Sequence, residues 1–262
     1  SLFKPVFRGS HKSKCLAHTF AFGELRAYRQ KYKVQQVLRI CLRAANYTRE
    51  TLTRFGGFMK TILIHGLGQN ASAWEKTVSA LPDTRFLLPE MSEFTGDGSW
   101  QELYRNFSAW LGIQGTQLCL CGLSLGAVLA LNYAAEYPER VRSMLLIAPQ
   151  FRMPKAMLRF QALLFRVMPE KSFAGAGLSK KQFITLTSDM AALDFTPELN
   201  RISCPVITAC GDKDKANFRA ARQLAELLPD GEFHPVTGAG HEANTDAPEY
   251  IAKLISQIQT RG

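Results

Sequence analysis

The stretch Cys119-Leu120-Cys121-Gly122-Leu123-Ser124-Leu125-Gly126-Ala127 constrains the fold more than any other part of the chain. An apolar run of strand length stops on a serine that has glycine two residues before and two after. A strand that turns this tightly into a helix leaves the serine backbone strained and holds its hydroxyl out at the turn. Glycines are expected at 122 and 126 because a side chain there would run into the serine's own backbone and Cβ. The pattern is short, so its flanks decide its weight. Residues 117–121 form a run of strand length that is apolar after Gln117, and residues 125–137 are rich in Ala and Leu until Pro138 ends the helix.

The same alternation recurs from Met59 onwards. Strand-like runs fall at 60–65, 85–88, 117–121, 141–148, 205–210 and 232–236, with helical patterns at 71–81, 100–111, 125–137, 218–228 and 248–259. Repeated β-α alternation predicts a mostly parallel sheet with helices on both faces. Residues 150–201 break the rhythm: they hold no convincing strand and are rich in Met, Phe and Leu. They read as a helical insertion, a short cap over the carboxyl ends of the strands, where α/β sheets bind ligands.

Charge divides the chain in two. Residues 1–58 hold twelve Lys/Arg and two Glu, whereas residues 59–262 hold twenty Lys/Arg and twenty Asp/Glu. The main domain is thus expected at 59–262, electrically balanced and without the cationic surface a nucleic-acid binder needs. Residues 1–58 are expected to be a basic extension, with 24–49 able to form one amphipathic helix. Three readings stay open for it: an upstream segment foreign to the native protein, since Met59 would serve as a start; an arginine-rich targeting segment; or a basic arm. No run of apolar residues is long enough for a membrane span, so no stable membrane insertion is expected. The six cysteines show no C-x-x-C pair or zinc-ligand spacing. Four lie in or beside apolar strand runs as small hydrophobes, which suits a reducing, cytoplasmic setting, and no metal is expected.

Acyl transfer by a serine needs a base near its hydroxyl, a carboxylate to orient that base, and donors for the developing oxyanion. His241, in Gly238-Ala239-Gly240-His241, follows the last strand in a loop able to return over the sheet edge. His234 falls inside a strand pattern and reads as structural, while His11 and His18 belong to the extension. After the strand at 205–210 come Asp212 and Asp214; Asp214, further into the loop, is the better placed to reach His241. Oxyanion donors are expected from the backbone N–H of Leu125, at a helix N-terminus, and of Leu67 in the turn His65-Gly66-Leu67-Gly68. His65 itself reads as a loop-shaping residue.

Together, His65-Gly66-Leu67-Gly68 with Trp74, Gly122-Leu123-Ser124-Leu125-Gly126, Gly211-Asp212-Lys213-Asp214 and Gly240-His241-Glu242 resemble the signature set of the α/β-hydrolase superfamily over residues 60–259. Within it the chain is most similar to small, cofactor-free serine esterases with a short helical cap, the kind that includes pimeloyl-ester demethylesterase. The resemblance implies the α/β-hydrolase fold, a triad of Ser124, Asp214 and His241, the Leu67 and Leu125 oxyanion donors, no cofactor, and a small-molecule ester as partner. Phe151, Met157 and Phe160 of the cap are candidates for substrate contact. Two departures stand out: only residues 60–64 precede the His-Gly turn, where relatives have further strands, and Ala127 replaces a second glycine. The expected reaction is cleavage of a carboxylic ester through an acyl-enzyme. A thioesterase, a C–C bond hydrolase or lyase, and a non-catalytic binding protein on the same fold are the alternatives.

Overall fold

The computed structural model describes residues 60–173 and 177–261. The expectations for residues 1–58 therefore lie outside the described residues. Among the described residues six strands form one sheet, β1 (Thr61–Ile64), β2 (Phe86–Leu87), β3 (Leu118–Leu123), β4 (Val141–Ile147), β5 (Val206–Gly211) and β6 (Gly231–Val236). Their order is β2-β1-β3-β4-β5-β6, and every pair is parallel. A parallel sheet needs helical crossovers that cover both faces, so its central strands are buried on both sides. All residues of β1, β3 and β5 are buried.

The two-residue period of a strand sorts these side chains into two cores. Ile62, Ile64, Leu118, Leu120, Met144 and Leu146 face one core, with α2 (Trp100–Gly112) and α3 (Leu125–Glu136) packed on them. Leu63, Cys119, Cys121, Leu145, Ile147 and Ile207 face the other, where α1 (Glu75–Ser79) and α8 (Pro248–Arg261) pack. Helix α3 is apolar nearly all round because it is buried nearly all round, which is what such a composition demands.

Between β4 and β5 the chain forms α4 (Lys155–Val167) and α5 (Lys180–Met190), with an isolated bridge between Arg152 and Asp194 joining the two ends of the insertion and Asp189 accepting the Trp100 N–H at the start of α2. After β5 comes α6 (Lys215–Leu227), and α7 (Ala243–Asp246) precedes α8. The run at 85–88 pairs only over Phe86–Leu87, and β2 is an edge strand among the described residues. The helical pattern at 71–81 splits into a 3-10 turn at Ala71–Trp74 and the single-turn α1. Asn70 initiates that turn by accepting the Ser72 N–H with its side-chain oxygen.

Candidate active site

Ser124 sits at the junction of β3 and α3 with φ 52° and ψ −110°, outside the regions that L-residues ordinarily occupy. The strain is held from both sides. Its N–H donates to the Ile147 carbonyl at 2.8 Å, and its carbonyl accepts the Val128 N–H at 3.0 Å. The flanking glycines make the turn possible, for a reason different from the one expected. A Cβ at 122 would lie 2.3 Å from the backbone of Gly126, and a Cβ at 126 would lie 2.2 Å from the Ile64 carbonyl oxygen. Neither clash is with the serine. Gly122 lets the helix start fold back over the strand, and Gly126 lets that helix press against β1. Ala148, just past β4, also takes positive φ (48°), and both strained residues line one cavity.

That cavity, of about 300 Å³, lies between the carboxyl ends of the central strands and the insertion. Its walls include Ser124, His241, Leu67 and Leu125, with Met153, Leu158, Phe165 and Phe183 from the insertion. Two of the three cap candidates are elsewhere. Phe151 is buried in the core at 4% exposure, and Phe160 points outward at 60%. Helix α4 turns Leu158, Gln161 and Phe165 toward the cavity instead, so the face containing Phe160 looks away. Met157 lies in α4, and its side chain is outside the description.

His241 and Asp214 come together. The imidazole Nδ1 is 2.6 Å from Asp214 Oδ2. Asp212 is turned aside, its Oδ1 accepting the Gly238 N–H at 3.0 Å, so it braces the loop that carries His241. Asp214 also caps α6 by accepting the Asn217 N–H. Burial pushes the Asp214 carboxyl up, but hydrogen bonds from His241 and Asn217 outweigh it and hold the group below the usual carboxylate range. Among the described residues the Ser124 hydroxyl makes no hydrogen bond, while it shares the cavity wall with His241. Nucleophile and base contacts of this kind are often loose and tighten as charge develops.

Asn217 escaped the sequence reading. Its side-chain nitrogen donates to Asp214 Oδ2 at 2.7 Å and Oδ1 at 3.0 Å and lies 3.1 Å from His241 Nδ1. Gln150 Nε2 in turn donates to Asn217 Oδ1 at 2.7 Å. The one sequence signal was an amide three residues after a helix-capping aspartate.

The first turn is braced as firmly. His65 Nε2 accepts the Met91 N–H at 3.1 Å, which leaves Nδ1 as the protonated nitrogen, donating to the Gly66 carbonyl at 2.9 Å. Burial holds the His65 imidazolium form down, against the opposing pull of the Gly66 carbonyl and Glu90. Gln69 Oε1 accepts the Gly66 N–H at 3.2 Å. Neither the Leu67 nor the Leu125 N–H is committed to a hydrogen bond among the described residues, and both residues border the cavity. His234 pairs with Glu232 at 2.5 Å in β6, an edge strand among the described residues, away from this cluster.

A strained serine, an imidazole bonded to a carboxylate, and two uncommitted backbone donors around one cavity are the parts that nucleophilic acyl chemistry uses. Comparison with known proteins places the chain in a class. The model of the alpha/beta hydrolase family matches residues 61–254, and the chain belongs to that family. No curated protein matches the sequence. Among solved structures, an esterase from Thermogutta terrifontis is 20% identical, with 77% of this chain and 89% of that one covered and a TM-score of 0.63. An enol-lactonase from Burkholderia xenovorans is also 20% identical over 79% of this chain and 93% of its own, at TM-score 0.61. A hydrolase from Pseudomonas aeruginosa is 16% identical over 76% and 89%, at TM-score 0.66. At these identities the likeness shows the fold.

Proposed function

We propose that the protein is a serine hydrolase that cleaves a carboxylic ester of a small molecule through an acyl-enzyme. The observation that carries the reading is the linked set at one cavity: Ser124 held at positive φ, with His241 on the same wall and its Nδ1 2.6 Å from Asp214. Asp214 takes the Nδ1 proton in a hydrogen bond, which leaves Nε2 with its lone pair for the serine. As Ser124 Oγ bonds to the ester carbonyl carbon, Nε2 accepts the hydroxyl proton, and the Leu67 and Leu125 N–H groups receive the oxyanion. Collapse breaks the bond to the alcohol oxygen, and Nε2 returns the proton to it. Water then repeats the sequence on the acyl-enzyme, releasing the acid and restoring the serine hydroxyl.

A cavity of about 300 Å³ falls at the small end of the range of small-molecule sites. Its mainly apolar walls favour short to medium acyl chains. The reading agrees with the ester-type substrates named for two of the structural relatives, the esterase and the enol-lactonase. A fluorophosphonate probe tests it: labelling is expected in the native protein and absent in Ser124→Ala, with ester hydrolysis falling in parallel. Equal labelling of the variant would remove Ser124 from the mechanism.

A further inference from the structure

Helix α4 carries two apolar faces. One turns Leu158, Ala162 and Phe165 toward the core and the cavity. The other sets Phe160 (60% exposed), Leu163 (55%), Leu164 (44%) and Val167 (76%) at the i, i+3, i+4, i+7 spacing of a single helical stripe. Six large apolar side chains stand out to solvent among the described residues, and four of them are these. A contiguous exposed patch of this kind marks an interaction surface.

Its electrostatic frame says what the surface meets. Lys155, Arg159 and Arg166 follow the i, i+4, i+11 spacing along one flank of the stripe, all exposed. Between Arg152 and Lys181 the chain holds seven Lys/Arg against the single acid Glu170, although residues 59–262 as a whole are balanced. Seven of the domain's twenty cations, against one of its twenty acids, therefore fall on the segment over the cavity. A second copy docking by the same face would bring these like charges together. A Phe/Leu/Val stripe beside a cationic strip is instead the make-up of a helix that lies in a membrane interface, with its apolar face among acyl chains and its cations at lipid phosphates.

We propose that α4 is an interfacial helix that seats the cap on an anionic lipid surface. At thirteen residues it is too short to cross a bilayer, and no described helix is long and apolar enough to do so; it lies in the plane. The cavity wall formed by the opposite side of the same helix then sits directly beneath the lipid surface. The proposal concerns binding and stands whether or not Ser124 is a nucleophile.

Sedimentation of the full chain with phosphatidylcholine vesicles, with and without phosphatidylglycerol, tests it. Binding is expected only to the anionic vesicles and weakens as salt is raised. The double variant Leu163→Glu/Val167→Glu should weaken it at least tenfold, and Arg159→Gln/Arg166→Gln by about fivefold per charge. Leu227→Glu, which alters an apolar residue 45% exposed on α6, should leave it unchanged. Circular dichroism and thermal melts report that each variant is folded. The proposal is overturned by any of four results: no binding to either vesicle; binding that the α4 substitutions leave intact, which would assign it to the basic residues 1–58; a dimer in analytical ultracentrifugation that Leu163→Glu/Val167→Glu dissociates; or binding of polyglutamate without binding of vesicles.

Discussion

Replacing Asn217 with leucine removes two donors from a carboxylate and leaves the shape of the side chain nearly unchanged. Asn217 is 9% exposed, and its amide nitrogen reaches both oxygens of Asp214, at 2.7 and 3.0 Å. Hydrogen bonds to a charged group are worth about 1.5–3 kcal/mol, and a partly buried carboxylate cannot recover them fully from water. The backbone bond from residue 217 at 3.3 Å and the His241 bond remain. A net destabilisation of about 2 kcal/mol follows, which lowers Tm by about 4–8 °C in a domain of this size.

Catalysis should suffer separately from stability. Asp214 keeps its partner His241 but loses the amide that fixes the plane of its carboxylate. Loss of one charge-assisted bond in the transition state lowers kcat by about ten- to a hundredfold, at 1.36 kcal/mol per factor of ten. KM for a small activated ester should change little, because the amide is already engaged with Asp214. Losing those donors also lets burial raise the carboxyl pKa. The stability that Asp214 lends is present above its unfolded value of about 3.9 and lost as pH falls through its depressed folded value. Acid unfolding of Asn217→Leu should accordingly begin at higher pH than in the parent. Steady-state kinetics, thermal melts and an acid titration by circular dichroism measure the three effects. A variant with lowered Tm but unchanged kcat would refute the positioning role and leave the amide as packing alone.

Two further outcomes follow from the backbone and from His65. Gly126→Ala should abolish soluble folded protein, because its Cβ would lie 2.2 Å from the Ile64 carbonyl oxygen, whereas Gly68→Ala should cost only about 1–2 kcal/mol. Gly68 has φ +88° with nothing within 4 Å of a Cβ, so only conformational strain is added; equal losses for the two variants in thermal melts would contradict the packing argument. Because burial holds His65 neutral to lower pH than in the unfolded chain, the unfolded state takes up more protons below its ordinary value of about 6.5. Stability should decline as pH drops below that point, and His65→Gln should flatten the decline in Tm measured against pH. An undiminished slope would mean that another group sets it.

How far the chain could be read before its structure was known depends on whether a residue's role is set by its neighbours in sequence. The strands were legible because β1, β3 and β5 are buried at every position and, apart from Thr61 and Thr208, carry no polar side chain, a consequence of burial on both faces. The short β2, only half-buried, leaves a weaker trace, and the strand-like run at 85–88 exceeds it by two residues. Ser124 was legible for a local reason: its strained turn demands two glycines at fixed offsets. His241 and Asp214 meet across twenty-seven residues, yet each follows a strand end, so the topology of the sheet predicts their approach.

The cap resists such reading because α4 is apolar on two sides. Periodicity reports that Leu158, Phe160, Leu164 and Phe165 occupy a helix, but it cannot tell which stripe looks inward when both are rich in the same residue types. Phe160 is therefore a candidate for substrate contact by sequence, but Phe165 occupies the cavity wall and packs edge-on against Phe173 and Phe183 at 5.6 and 5.8 Å. The same ambiguity points to function. A helix that had only to close over a core would need one apolar face, and the second remains in water at a cost unless something covers it. Asn217 is the converse case, a polar residue in an ordinary helical turn. Its importance comes from Asp214 turning back to cap that helix, which brings the carboxylate of the site and the amide three residues later within one hydrogen bond.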